Sequence, residues 1–108
     1  MIDHYTYRVS WLPEDDEYVA TVLEFSSLSW LAADPIEALS GLRELVQSVV
    51  ADMEASGEPV PGPLADKTYS GKVLVRTTPD LHRRLAIEAA EAGVSLNRLI
   101  NSRLTPSP

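Results

Sequence analysis

The side chains that most often carry out chemistry are few in this 108-residue chain, and none of them forms a recognised catalytic pattern. There is no cysteine, so no thiolate can act as a nucleophile or a metal ligand. The two histidines, His4 and His82, have no second ligand at metal-binding spacing. Metal-assisted hydrolysis needs several carboxylates that converge on one ion. The candidates lie instead at the predicted ends of elements or on a polar helix face: Asp3, Glu24, Asp34 and Asp52. We therefore expect no catalytic residues, no metal site and no cofactor.

A short basic segment in the last third of the chain points to another kind of chemistry. Residues 72–77 read Lys-Val-Leu-Val-Arg-Thr, and their alternation predicts a strand. If the two valines and Thr77 point inward, the outward side chains are Lys72, Leu74 and Arg76. A two-stranded ribbon fits the major groove of DNA, where arginine can donate two hydrogen bonds to guanine. The alternative is that these charges only prevent edge-to-edge aggregation.

Two short helices are predicted after this strand. Thr78 caps the first, Pro79 takes its first position and Gly93 ends it, while Ser95 caps the second. The module, residues 70–105, has 36 residues, fewer than the ~40 that a chain without metal or disulfide usually needs to fold alone. We therefore expect two copies to pair their strands across a twofold axis as a homodimer.

The formal net charge of −7 is unevenly divided along the chain. Residues 1–66 carry two basic and thirteen acidic side chains, a net charge of −11. Residues 67–108 carry seven basic and three acidic side chains, a net charge of +4. This asymmetry indicates two modules with different partners, a basic one for the acidic half and a polyanion for the basic half. A random scatter of solvated charges is the alternative.

The acidic half has the pattern of a small α+β domain. Strands are predicted over residues 4–12, 18–25 and 28–32, as an antiparallel meander. A helix follows, capped by Asp34. Its apolar stripe is formed by Leu39, Leu42, Val46, Val49 and Met53, and is widened by Ile36, Ala38, Leu45 and Val50. One helix on one face of a three-stranded sheet accounts for a domain over residues 1–56.

Residues 57–69 are rich in proline and glycine, which predicts a semi-rigid linker between the two modules. In the acidic domain, Trp11 and Trp30 are candidates for interface anchors, although core packing is the favoured role. The N-terminus lacks the pattern of a signal peptide, and no apolar run is long enough to span a membrane. We therefore expect a cytoplasmic protein with no membrane partner.

The residues from Lys72 to Leu104 resemble the ribbon-helix-helix fold of the MetJ/Arc class. The resemblance includes the strand, the proline-opened helix, the glycine stop and the helix start at residues 94–97. Over roughly residues 3–104 the chain is similar to HicB-family antitoxins that join a degenerate RNase H-like N-terminal domain to such a module. The most similar segments are residues 5–9, 24–30, 37–39 and 79–86.

The resemblance implies roles for two groups of side chains. It implies that the outward strand positions read DNA bases and that the start of the last helix anchors a phosphate. The base-contacting residues are then Lys72, Leu74 and Arg76, and the phosphate-contacting residues are Ser95, Leu96 and Asn97. Leu74 stands where the family often has a polar residue, and it can offer only apolar contact, for instance to a thymine methyl group. Ser95 is equally suited to a plain helix cap.

The resemblance also implies partners for the whole chain. The N-terminal domain would bind and neutralise a small basic, mRNA-cleaving toxin of the HicA type. The ribbon would repress transcription by binding double-stranded operator DNA as a dimer or tetramer. Two alternatives remain from the residues: a stand-alone ribbon-helix-helix regulator, and a protein-interaction module whose ribbon only dimerises.

Overall fold

The computed structural model describes residues 1–107. The chain consists of two compact units. Unit 1 comprises Met1–Ser70 and unit 2 comprises Gly71–Pro108. Within residues 1–107, none of the helices combines the length and the apolar character that crossing a membrane requires.

Three antiparallel strands form the sheet of unit 1, in the order β1, β2, β3. Strand β1 spans Tyr7–Leu12, β2 spans Glu17–Val22 and β3 spans Ser29–Ala32. The predicted meander is confirmed, but the strands are shorter than predicted. A short 3-10 helix, Ile2–His4, precedes β1, and turns follow β2 directly.

One long helix, α1, spans Pro35–Ala55 and packs on one face of this sheet. The Asp34 carboxylate caps it by accepting hydrogen bonds from the backbone N–H groups of Ile36 (3.0 Å) and Glu37 (3.1 Å). Proline at the first helical position has no N–H that would need a partner there. The predicted cap and helix start are thus confirmed.

The core of unit 1 lies between α1 and the sheet. From the helix it takes four side chains spaced one turn apart: Ala38, Leu42, Val46 and Val50. All four belong to the predicted apolar stripe, whereas its members Leu39, Val49 and Met53 are only half-buried. The sheet side contributes three buried side chains: Tyr5, Ala20 and Val22.

The favoured core role of the two tryptophans is wrong. Trp11 is 47% exposed and Trp30 is 43% exposed. Trp11 lies near the end of an edge strand and makes an edge-on contact with Tyr18, with ring centroids 4.9 Å apart. Trp30 lies on the other edge strand, over Gly41 of α1. Both indoles therefore lie partly in solvent, although each has a packing partner within unit 1.

The proline-rich segment after α1 lies against unit 1. Val60 packs against the core and Pro63 is buried. The Tyr5 hydroxyl donates a hydrogen bond of 2.7 Å to the Pro61 carbonyl. His4 Nδ1 lies 2.7 Å from Asp66 Oδ2. An extended proline-rich chain leaves its carbonyls without internal partners, so they can accept hydrogen bonds from a neighbouring surface. The segment predicted as a spacer therefore belongs to unit 1, and these contacts attach it to the rest of the unit along much of its length.

Unit 2 contains two helices. Helix α2 spans Pro79–Ala92 and α3 spans Leu96–Leu104, close to their predicted bounds. The Thr78 hydroxyl caps α2 by accepting from the N–H of Leu81 (3.2 Å). Gly93 ends α2 in the left-handed conformation, with φ of 67°, which is why glycine is suited to this position.

The predicted strand at residues 72–77 is not a strand in the single chain. These residues belong to no helix and to no sheet ladder, and all of them are exposed. A strand is defined by backbone hydrogen bonds to a second strand, and the part of unit 2 that the structure describes contains no other extended segment long enough to supply them. Pairing of this segment would therefore require a second chain.

Candidate nucleic-acid interface

The extended segment at the start of unit 2 exposes apolar side chains that a folded protein normally covers. Val73 is 84% exposed, Leu74 is 83% exposed and Val75 is 69% exposed. Both alternating sets of side chains are thus exposed, so the inward and outward assignment of this segment stays a prediction. Within residues 71–107, Ala89 is the one fully buried side chain. Unit 2 of a single chain therefore has almost no core of its own.

A groove of about 610 Å³ runs between the extended segment and α3. Its lining includes four apolar side chains, Val73, Val75, Ile100 and Leu104. Three of the six predicted DNA-contacting residues also line it: Lys72, Leu74 and Asn97. The other three, which are Arg76, Ser95 and Leu96, lie outside this lining.

The start of α3 has the features expected of an anion site. The Ser95 hydroxyl oxygen accepts a hydrogen bond of 3.0 Å from the N–H of Arg98, so Ser95 caps the helix. This bond uses an oxygen lone pair and leaves the hydroxyl hydrogen able to donate to a phosphate. No acidic side chain lies in the first turn of α3. The backbone N–H groups of Leu96 and Asn97 have no acceptor one turn earlier in the helix, so they too can face an anion.

The charges of unit 2 fit a polyanion better than those of unit 1. From Gly71 onward the sequence holds six basic and three acidic side chains, a net charge of +3. One of the six, Arg103, forms an exposed ion pair with Glu88 on α2. Arg76 lies just before α2 and is exposed. The predicted base-reading position is therefore accessible in the single chain.

The carboxylates of unit 1 do not converge as a metal site would require. Among residues 1–107 no group of three or more histidine and acidic side chains is placed to hold a metal ion. Asp34 caps α1, and Asp3 forms an ion pair with Arg43. Both carboxylates therefore have partners within the unit.

Glu24 has a positioning role that the sequence did not reveal. Its carboxylate accepts hydrogen bonds from the Thr6 backbone N–H (2.9 Å), the Thr6 hydroxyl (3.1 Å) and the Leu64 backbone N–H (2.9 Å). Burial raises the pKa of this carboxyl, but the hydrogen bonds outweigh burial and hold the pKa below its usual value. Glu24 thus joins the start of the chain to the proline-rich segment. Leu64 is 40 residues away, so no local spacing pattern could have indicated this contact.

Comparison with known proteins bears mainly on unit 2. The model of the HicB family matches residues 55–104. This part of the chain is therefore similar to the HicB family. The match covers the proline-rich segment after α1, the extended segment, α2 and nearly all of α3, whereas the sheet lies outside it. No curated protein and no solved structure matches the sequence.

The similarity of residues 55–104 to the HicB family suggests a role related to toxin–antitoxin systems and a toxin partner in general terms. The residues predicted to contact DNA all lie within the matched range, between positions 72 and 97. The three-stranded sheet of the acidic domain lies outside the matched range, so the match gives no information about its surface.

Proposed function

We propose that this protein is the antitoxin of a type II toxin–antitoxin system. Unit 2 would dimerise and bind operator DNA, which represses transcription of the protein's own gene. Unit 1 would bind and neutralise a small basic, RNA-cleaving toxin of the HicA type. The proposed role involves protein and DNA contacts only, with no catalytic step and no cofactor. The HicB-family match supports the antitoxin role.

The observation that carries the proposal is the exposure of Val73 and Val75 in a unit that buries almost nothing. Antiparallel pairing with a second copy would place the backbone N–H and C=O groups of residues 73–77 in a hydrogen-bonded ladder. It would also cover the two valines, and burying a valine side chain contributes about 1.5–3 kcal/mol. The apolar groove beside α3 offers the surface against which the paired strands can pack. These features support a ribbon-helix-helix dimer.

The same pairing would place the predicted DNA contacts on one side of the dimer. With the valines turned toward the helices, Lys72, Leu74 and Arg76 alternate with them and face outward. Arg76 can donate two hydrogen bonds to a guanine, while the start of α3 can hold a flanking phosphate. Because each copy contributes one set, the dimer would recognise two half-sites.

The DNA arm of the proposal is tested by titrating the full chain with the double-stranded DNA upstream of its own reading frame. Fluorescence anisotropy at several salt concentrations should show the logarithm of the binding constant falling steeply with the logarithm of the salt concentration. Arg76→Ala should weaken binding about five- to a hundredfold. The matched control is Arg83→Ala, which removes an equal charge from the exposed surface of α2 and should have a smaller effect. Unchanged binding by Arg76→Ala at every salt concentration would refute the base-reading role.

A second candidate function is favoured by Leu74 and by the net charge of −7. An apolar side chain at the centre of the ribbon supplies no hydrogen bond to a base, and a net negative protein is repelled by DNA. In that case the ribbon would only dimerise the chain. Sedimentation would then show a dimer, and the DNA titration would show no binding at any salt concentration.

A further inference from the structure

The sheet of unit 1 has a second face that carries no helix of that unit. Residues directly opposite each other in an antiparallel ladder point to the same face. Ala20 pairs with Trp30, and both belong to the face that packs on α1. The alternate residues form the outer sheet face, which is defined by Arg8, Ser10, Leu12, Glu17, Val19, Thr21, Ser29 and Leu31.

The centre of the outer sheet face is apolar. Leu31, Val19 and Ser10 lie side by side across the three strands, because Val19 pairs with both of the others. Leu12 lies diagonally next to Val19. Leu31 is 46% exposed, whereas Val19 and Leu12 are half-buried. Ser10 is exposed and has a short side chain that leaves the aliphatic groups accessible. An apolar centre with small polar neighbours is the composition of a protein–protein interface core.

The charge around this face indicates the kind of partner. Unit 1 holds thirteen acidic and three basic side chains, and one of the three, Arg43, is paired with Asp3. Four acidic residues in succession, positions 14–17, occupy the turn that joins β1 to β2 and the first position of β2, at the Leu12 end of the face. Arg8 lies toward the opposite end of β1. A partner that meets both the acidic turn and the apolar centre must be basic with an apolar patch.

We propose that the outer sheet face is the surface through which unit 1 binds a basic protein, with Leu31 as its central apolar contact. This inference rests on the proposed function, which supplies such a partner, and it adds the location of the contact. Basic side chains of the partner would lie against the acidic positions 14–17. Its apolar side chains would lie against Leu31 and Val19.

The test uses the full chain and, as the probe, an inactivated small basic toxin of the HicA type. Isothermal titration calorimetry should show that Leu31→Lys and Ser10→Arg each raise the Kd about tenfold or more, since each adds a positive charge to the contact. Ser10→Arg keeps all apolar contacts of unit 1, so it remains informative if Leu31→Lys folds poorly. The matched control is Ile36→Lys, at a residue that is 74% exposed in the first turn of α1, away from the outer sheet face. It should change the Kd by less than about twofold.

Three other outcomes would overturn the inference in distinguishable ways. If both outer-face variants bind like the wild type, the partner contacts another surface while the proposed function stands. If the wild type itself does not bind the basic protein, the toxin arm of the proposed function fails together with this inference. If sedimentation shows that Leu31→Lys dissociates a larger oligomer without changing the Kd, the occupant of the face is a second copy of this chain. DNA binding serves as an internal control and should be the same in all variants.

Discussion

Replacing Gly41 with alanine is expected to displace Trp30 from α1 and to destabilise unit 1. A Cβ atom built on Gly41 overlaps three atoms of the Trp30 indole ring, Nε1, Cδ1 and Cε2. The ring lies on an edge strand and is 43% exposed, so it can swing away rather than force the helix from the sheet.

The magnitude follows from two opposing effects. A fully buried tryptophan covers up to about 250 Å². Somewhat more than half of Trp30 is covered, so its displacement would expose roughly 140 Å², which costs about 3.5 kcal/mol at ~25 cal/mol per Å². Alanine in a helix interior is favoured over glycine by about 1 kcal/mol. If the ring keeps part of its contacts, we expect a net loss of about 1–2.5 kcal/mol in the free energy of unfolding.

Urea unfolding followed by circular dichroism measures this loss. Tryptophan fluorescence in a Trp11→Phe background reports on Trp30 alone, because the chain has two tryptophans, and its emission should shift to longer wavelength. The matched control is Ser40→Ala, an exposed neighbour on α1 that gains helix propensity without a steric overlap. The reasoning is refuted if Gly41→Ala is as stable as the wild type and its emission is unshifted.

Three further predictions concern Glu24, Ser95 and Leu74. The pKa of Glu24 is lowered in the folded state from its ordinary value of 4.5. Its carboxylate therefore contributes stability that is present above the unfolded pKa and is lost as the pH falls through the lower folded pKa. In Glu24→Gln the free energy of unfolding should therefore depend less on pH between about pH 5 and pH 3, and equal slopes for both proteins would contradict this. Ser95→Ala should lower the free energy of unfolding by about 1 kcal/mol and weaken DNA binding. Ser95→Asp should restore the helix cap but not DNA binding, because a carboxylate repels phosphate. If Leu74 contacts a thymine methyl group, replacing thymine by uracil in the DNA should weaken wild-type binding about fourfold per methyl group. The same replacement should leave DNA binding by Leu74→Ala unchanged. Equal losses of affinity in the two proteins would exclude the contact.

Local sequence signals were sufficient for most of the secondary structure. The start and the length of α1 were predicted from three local features: the cap formed by Asp34, the proline after it and the regular apolar spacing. Each of these features acts within a few residues. The bounds of α2 and α3 were predicted in the same way from Thr78, Gly93 and Ser95. Alternation predicted the first strand of unit 1, and the content of β-branched and aromatic residues predicted the second. Strand ends were less accurate, since they depend on where the neighbouring strand stops pairing.

The positions of side chains in the folded units depended on contacts between distant parts of the chain. The sequence favoured core packing for Trp11 and Trp30, but the exposed fraction of each indole was decided by its neighbours in the folded unit. These are Tyr18 for Trp11 and Gly41 of α1 for Trp30. The composition of residues 57–69 indicated a spacer, whereas hydrogen bonds to Tyr5 and Glu24 attach this segment to unit 1. The same limit applies to residues 72–77, whose pattern is that of a strand. Backbone pairing needs a second strand, and a single copy of unit 2 does not contain one.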